Sequence, residues 1–246
     1  MKAGWIYGKN TVLEALRKNE TVDKVYVAEG AQRGTNQTIM NAAKDRGIRV
    51  EVVPKQKLNA MTDIPHQGVA AQIAAYEYAE LDDLFAVAQE RGEDPFFLIL
   101  DEVEDPHNLG SMLRTADCTG VHGIIIPKRR AVGLTATVAK ASTGAIEHVK
   151  VARVTNIART IEELQQSGVW IAGTDATGNT DFRQMDGTMP LALVIGSEGK
   201  GMSRLVREKC DFLISLPMTG HVTSLNASVA GALVMYEVYR KRHPVG

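Results

Sequence analysis

The chain has 246 residues with 28 Lys and Arg against 29 Asp and Glu, a formal charge of −1; this length builds one large domain or a small and a medium one, each with its own core. Hydrophobic residues make up 44% and nothing is of low complexity, so the composition shows no sign of disorder. No apolar run reaches the roughly 20 residues that span a bilayer, no signal segment opens the chain, and Cys118 and Cys210 lie too far apart in sequence to suggest a disulfide framework or zinc site; a soluble, cytoplasmic protein with reduced structural thiols, no metal and no membrane partner is expected.

Residues 1–76 carry a net charge of +4 and read as a small α/β domain. Asn10 is placed to cap a helix whose Val12, Leu13 and Leu16 share a face. The segments Lys24 to Ala28, Arg49 to Val53 and Gly68 to Ala74 are β-rich, with a helix between the first two that ends near Gly47. Residues 77–94 belong to an acidic stretch, 77–105, with a net charge of −10; they are expected to form a partly helical linker closed by Gly92 and Pro95. Two mildly basic modules around an acidic connector suit an anionic partner such as RNA, although solvation of a linker explains the acidic residues equally well.

The second module, residues 95–246, alternates strands and helices. Phe96 to Leu100, Gly123 to Pro127, Val169 to Thr174, Leu191 to Gly196 and Phe212 to Pro217 are apolar runs, separated by patterns such as Ile157, Ile161 and Leu164 closing at Gly168. This is the signature of a parallel sheet covered on both faces. No Gly-x-Gly-x-x-Gly follows its first strand, and Gly196 to Gly201 lacks the Walker spacing, which argues against NAD and ATP.

Three strands end in loops rich in Gly, Asn, Ser or charge: Asp101 to Arg114, Gly196 to Arg204 and Leu216 to Asn226. Loops at the carboxyl ends of parallel strands converge on one edge, where ligands sit. In the last of them Ser224 or Asn226 can cap a helix whose Val229, Leu233 and Tyr236 recur at helical spacing. The strings Leu100 to Ala116, Leu193 to Met202 and Leu216 to Ala230 resemble, in order, the three motifs of the TrmH-type SPOUT RNA 2'-O-methyltransferases. The first module resembles the substrate-binding domain of the RlmB-like branch of that family.

The resemblance implies an α/β fold with a C-terminal trefoil knot and a homodimer paired through the knotted domain. It implies S-adenosylmethionine as cofactor, with Gly173, Thr174, Ile195, Gly196, Leu216 and Leu225 lining its site. It also implies methylation of a guanosine ribose in the P loop of 23S rRNA, free or in a pre-ribosomal particle, and no DNA partner. The catalytic group falls on Arg114, with Asn108, Glu198, Ser224 and Asn226 around it.

A guanidinium keeps its proton at any ordinary pH, so an arginine is a poor base. Stabilisation of the forming alkoxide, with water taking the proton, is the preferred role for Arg114; proton removal is the alternative. Lys128, Arg129 and Arg130 are the best candidates for phosphates, with His66 and Gln67 a second RNA contact and Arg46, Arg49, Lys55 and Lys57 weaker ones. His107, His122 and His221 are left out of catalysis, His221 being a candidate substrate contact. Methylation of tRNA or another rRNA site, and a non-catalytic RNA-binding or ribosome-assembly role, are the competing readings.

Overall fold

A computed structural model describes residues 4–18, 22–30, 34–62, 64–74, 76–221 and 224–245. The chain divides into two compact units, Met1–Glu77 with Gly133–Ala136, and Tyr78–Val132 with Thr137–Gly246.

The first unit contains β1 (Trp5–Tyr7), α1 (Lys9–Arg17), β2 (Val22–Ala28), α2 (Thr35–Asp45), β3 (Arg49–Val53), α3 (Lys55–Met61) and β4 (Val69–Ile73). The sheet order is β1-β4-β2-β3, parallel only between β2 and β3. Val12 and Leu16 of α1 and Ile39 and Ala43 of α2 bury one face of the sheet, and Leu58 of α3 packs with Tyr7, Tyr26 and Val53 on the other. Asn10 is not the cap of α1. The helix opens at Lys9 after Gly8, two residues earlier than that cap requires, and the Gln67 side chain accepts the Lys9 N–H at 3.2 Å, supplying the capping oxygen from another loop.

The second unit contains α4 (Leu81–Arg91), β5 (Phe96–Leu100), α5 (Pro106–Thr119), β6 (Gly123–Pro127), α6 (Ala136–Ser142), β7 (Val151–Val154), α7 (Ile157–Gln166), β8 (Trp170–Thr174), β9 (Thr180–Asp181), β10 (Leu191–Ile195), α8 (Arg204–Lys209), β11 (Phe212–Ser215) and α9 (Ala227–Arg242). Its seven strands, ordered β7-β6-β5-β10-β8-β11-β9, are parallel throughout. Every residue of β5 and β10 is buried, as expected of strands covered on both faces.

Residues 77–94 are not a free linker. They carry α4, opened by a Glu80–Asp83 capping box and closed by Gly92 in the left-handed region. Its Leu84 is fully buried and lies against Gly123 of β6, where an added Cβ would fall 2.2 Å from Leu84 Cγ. The acidic residues sit on the outside of a helix whose inner face is core.

The parallel sheet aims the segments that follow its strands past its carboxyl edge, and the loops after β5, β10 and β11 are the three singled out by the sequence. Backbone and side-chain bonds bind the first two together. Asp101 N donates to the Ile195 carbonyl at 2.9 Å, and the Asp101 carboxylate accepts Ser203 N at 2.6 Å. Of the thiols, Cys118 is exposed rather than packed, while burial pushes the Cys210 thiol up to about 12.

Candidate active site

Two helix N-termini meet in this loop cluster. At the start of α5, Asp105 accepts His107 N at 2.6 Å and Asn108 N at 3.4 Å, with Pro106 in the first turn. This seats Asn108 on the first turn, almost wholly buried. At the start of α9 the cap is Asn226, not Ser224. Its Oδ1 accepts Ser228 N at 2.9 Å, Val229 N at 3.3 Å and the Ser228 hydroxyl at 2.7 Å.

With Oδ1 committed to the cap, the amide nitrogen must point outward. It donates to Asn108 Oδ1 at 3.0 Å and to Glu198 Oε2 at 3.2 Å. One side chain thereby joins all three loops. Ser228, which orients this cap through its hydroxyl, was not singled out by the sequence; its place two residues after a capping Asn is the available signal.

Glu198 stands in a loop folded tightly on itself. Ser197 N donates to Gly201 O and Gly201 N to Ser197 O, at 3.0 and 2.9 Å. A Cβ on Gly196 would fall 2.1 Å from the Gly201 backbone, so only glycine permits this closure.

Beneath the loops lies a cavity of about 430 Å³. Thr174, Ile195, Gly196, Leu216 and Leu225 line it, together with Ser224 and Glu198. Gly173 does not line it: its open side faces Cys210 and Met202 in the core. Residues beyond the sequence reading also contribute, chiefly Asp175, Ser197, Lys200 and Met218.

The Asp175 carboxylate lies below its ordinary range. Burial opposes this, but hydrogen bonds from Thr177 and Arg207, the latter at 2.8 Å, outweigh it and clamp this wall to α8. A second cavity of about 300 Å³ adjoins the first and is lined by residues 102–105, Asn108, Glu198 and Lys200, among others.

Arg114 lies apart from this network. It is exposed on α5, six residues beyond Asn108, which on a helix is about 9 Å along the axis and roughly 120° around it. It lines neither cavity, and its side chain makes no hydrogen bond or ion pair among the described residues.

The remaining candidates also sort by geometry. His66 is buried, with Nδ1 accepting Gly68 N at 3.0 Å and Nε2 against Asn59 Oδ1 at 2.7 Å; both ring nitrogens are committed to holding a turn. Gln67 is exposed and caps α1. Arg129 is exposed, but Arg130 is paired with Glu102 at 2.6 Å, and the Lys128 carbonyl accepts from Arg153. Lys24 and Lys57 both pair with Glu51, whose carboxyl falls to about 2, while Arg46 donates to the Leu16 carbonyl. Arg49 and Lys55 are exposed. Among the described residues, no helix is long and apolar enough to cross a membrane, and no group of His, Cys, Asp and Glu could hold a metal.

Residues 95–236 match the SpoU rRNA Methylase family, and residues 5–79 match the family described as RNA 2'-O ribose methyltransferase substrate binding. The chain is 65% identical over 242 residues to YacO of Bacillus subtilis, a protein named for the TrmH family of tRNA/rRNA methyltransferases, covering 98% of this chain and 97% of that one. A protein of the same family name from Staphylococcus aureus is 58% identical over 241 residues, again covering 98% and 97%.

Among solved structures, the SpoU methyltransferase AviRb of Streptomyces viridochromogenes, in complex with AdoMet, superimposes with a TM-score of 0.62 at 25% identity over 98% of this chain and 92% of that one. A TrmH/SpoU tRNA modifying enzyme of A. aeolicus gives 0.55 at 28% identity over 65% and 83%. The sheet, the convergent loops and these matches together make the chain a member of the SpoU/TrmH family of RNA methyltransferases, with the family's substrate-binding domain at its N-terminus.

Proposed function

We propose that the chain transfers a methyl group from S-adenosylmethionine to the ribose 2'-hydroxyl of a guanosine in the P loop of 23S rRNA, in the cytoplasm. The observation that carries this is the bridge from Asn226 to Asn108 and Glu198, which draws the three loops together beside the 430 Å³ cavity.

That cavity fits the cofactor. Ile195, Leu216, Met218 and Leu225 give apolar walls for a planar base, and the glycine-bounded loop 196–201 offers backbone groups for polar atoms. When bound, S-adenosylmethionine supplies a methyl group electrophilic enough for a hydroxyl oxygen to accept.

Asn226 uses its amide nitrogen on Asn108 and Glu198. This leaves the Asn108 amide N–H and the second Glu198 oxygen to hold a ribose, both residues lining the smaller cavity. Arg114, kept cationic, steadies the charge that grows on O2' while its proton passes to water.

A single chain does not bring Arg114 to the trio, so a second subunit completes the site. Its docking face is at hand. Val229, Leu233, Tyr236 and Tyr239 form an exposed apolar stripe on α9, the helix that packs beside α5. A homodimer through these helices covers the stripe and delivers Arg114 of the partner subunit. The N-terminal domain, with exposed Arg49 and Lys55, and Arg129 on the second unit supply phosphate contacts.

The test is methyl transfer to unmodified 23S rRNA, with the modified ribose mapped. A single 2'-O-methylguanosine in the P loop is expected; methylation of tRNA alone overturns the substrate, and absence of S-adenosylmethionine binding by calorimetry points to the non-catalytic role.

A further inference from the structure

The smaller cavity shares Ser197, Glu198, Lys200 and Ala227 with the larger one, so a molecule in each would meet at a common wall. Its charged lining is four carboxylates, Glu102, Glu104, Asp105 and Glu198, against one ammonium, Lys200. Three of the carboxylates are already engaged. Glu102 accepts Arg130 at 2.6 Å, Asp105 caps α5, and Glu198 accepts the Asn226 amide. The Glu104 and Lys200 side chains make no hydrogen bond and no close ion pair among the described residues, although the Arg130 guanidinium, paired with Glu102, also attracts Glu104.

We infer, resting on the ribose-methylation reading, that this cavity holds the acceptor nucleotide with its phosphate at Lys200 and the donor edge of its base at Glu104. A phosphate among carboxylates is repelled, so the one cation fixes that end of the nucleotide. The ribose between phosphate and base then falls at the wall that both cavities share, against Glu198.

The carboxylate at the other end, with no hydrogen bond of its own, discriminates among bases. Guanine presents two adjacent donors, N1–H and the N2 amino group, to the two oxygens of a carboxylate. Adenine and cytosine set a ring-nitrogen acceptor beside their amino group, and uracil flanks its single N–H with carbonyl oxygens. Glu104 is thus a residue that selects guanosine, and Lys200 one that places its phosphate.

The test uses the full-length protein and hairpin transcripts of the 23S P loop, with the methylated guanosine retained or replaced by adenosine. Glu104→Gln is expected to reduce the preference for guanosine over adenosine roughly tenfold or more, the size of one bidentate contact. Lys200→Gln is expected to raise the KM for RNA and to lower the salt dependence of binding by about one ion. Both variants should keep the wild-type melting temperature, and Glu104→Gln, which lies outside the larger cavity, should also keep wild-type S-adenosylmethionine affinity. A wild-type base preference in Glu104→Gln, or a wild-type salt slope in Lys200→Gln, overturns this assignment alone. Wild-type protein that binds S-adenosylmethionine but methylates none of the transcripts, full-length rRNA or tRNA removes the ribose-methylation reading with it.

Discussion

The Asn226 amide nitrogen donates to Asn108 Oδ1 across 3.0 Å, although 118 residues separate the two in sequence. Each stands at the first turn of a different helix, so the contact fixes α9 against α5 beside the 430 Å³ cavity. The cap and the bridge use opposite ends of one side chain, which makes them separable by substitution.

Asn226→Asp keeps an oxygen for the cap and loses both outward donors, while placing a second carboxylate against Glu198. Helix stability should change by less than the ~1 kcal/mol of a lost cap, whereas kcat/KM should fall about a hundredfold, the scale of a misplaced reacting group. Asn226→Ala should lose both. Thermal melts beside single-turnover methylation separate the two effects, and an Asp variant as active as wild type would remove Asn226 from the site's machinery.

What the sequence made legible follows from where the information lies. The strands β5, β6, β8, β10 and β11 are continuous apolar runs because both faces are covered, and the pattern locates them within a residue or two. The edge strand β7 escaped because Arg153 interrupts it; its guanidinium lies 5.0 Å from the Tyr78 ring, a partner no local pattern reveals. His66 read as an RNA contact because it precedes a glycine turn, yet Asn59 and the Gly68 amide claim its ring.

The spacing of Val229, Leu233 and Tyr236 correctly marked a helix but lies on its exposed side. The buried side uses the small residues Ala227, Ser228 and Gly231 besides Val234 and Val238, so hydrophobicity alone does not tell core from exposed face. The motif resemblance located Asn108, Glu198 and Asn226. It did not show that Arg114 stands about 9 Å along α5 and roughly 120° around it from Asn108.

That separation predicts complementation between subunits. Arg114→Ala and Asn226→Ala should each be nearly inactive as homodimers. Mixed and reassociated, they should regain activity, since one site of each mixed dimer would combine an intact Asn226 loop with an intact Arg114 of the partner subunit. No recovery, with mixed dimers verified by mass, would place the arginine's action within its own chain. Arg114→Lys keeps the charge without the planar fork and should lower kcat more than S-adenosylmethionine affinity.

His122 gives the second unit a defined acid sensitivity. Its ring is buried, with Nδ1 accepting Phe96 N at 2.9 Å and Nε2 facing Glu93 Oε2 at 2.9 Å, so the neutral Nε2–H tautomer fits. Burial holds the imidazole below its ordinary value, and the pull of Glu93 only partly opposes it. The unfolded chain takes up its proton near pH 6.5, before the folded chain does, so the unfolded state binds more protons as the pH falls. This stability is complete above about pH 6.5 and drains away toward the depressed folded value. His122→Asn retains an acceptor for Phe96 N but does not titrate; its melting temperature should fall less than that of wild type between pH 7 and 5.5, and parallel curves would refute the assignment.

The packing of α4 on the sheet can be tested as a pair. Leu84→Ala removes a fully buried side chain and should destabilise the second unit by about 2–5 kcal/mol, read from denaturant midpoints. Gly123→Ala alone drives a methyl to within 2.2 Å of Leu84 Cγ and should destabilise by about 1–3 kcal/mol through overpacking. Combined, the new methyl enters the space that the leucine vacates. Gly123 has no left-handed backbone to forbid alanine, so the double variant should be more stable than the sum of the single changes implies, by roughly 0.5–3 kcal/mol of coupling. Strict additivity would mean that α4 does not rest on β6 through this pair, and that the acidic segment is the loose connector its composition suggests.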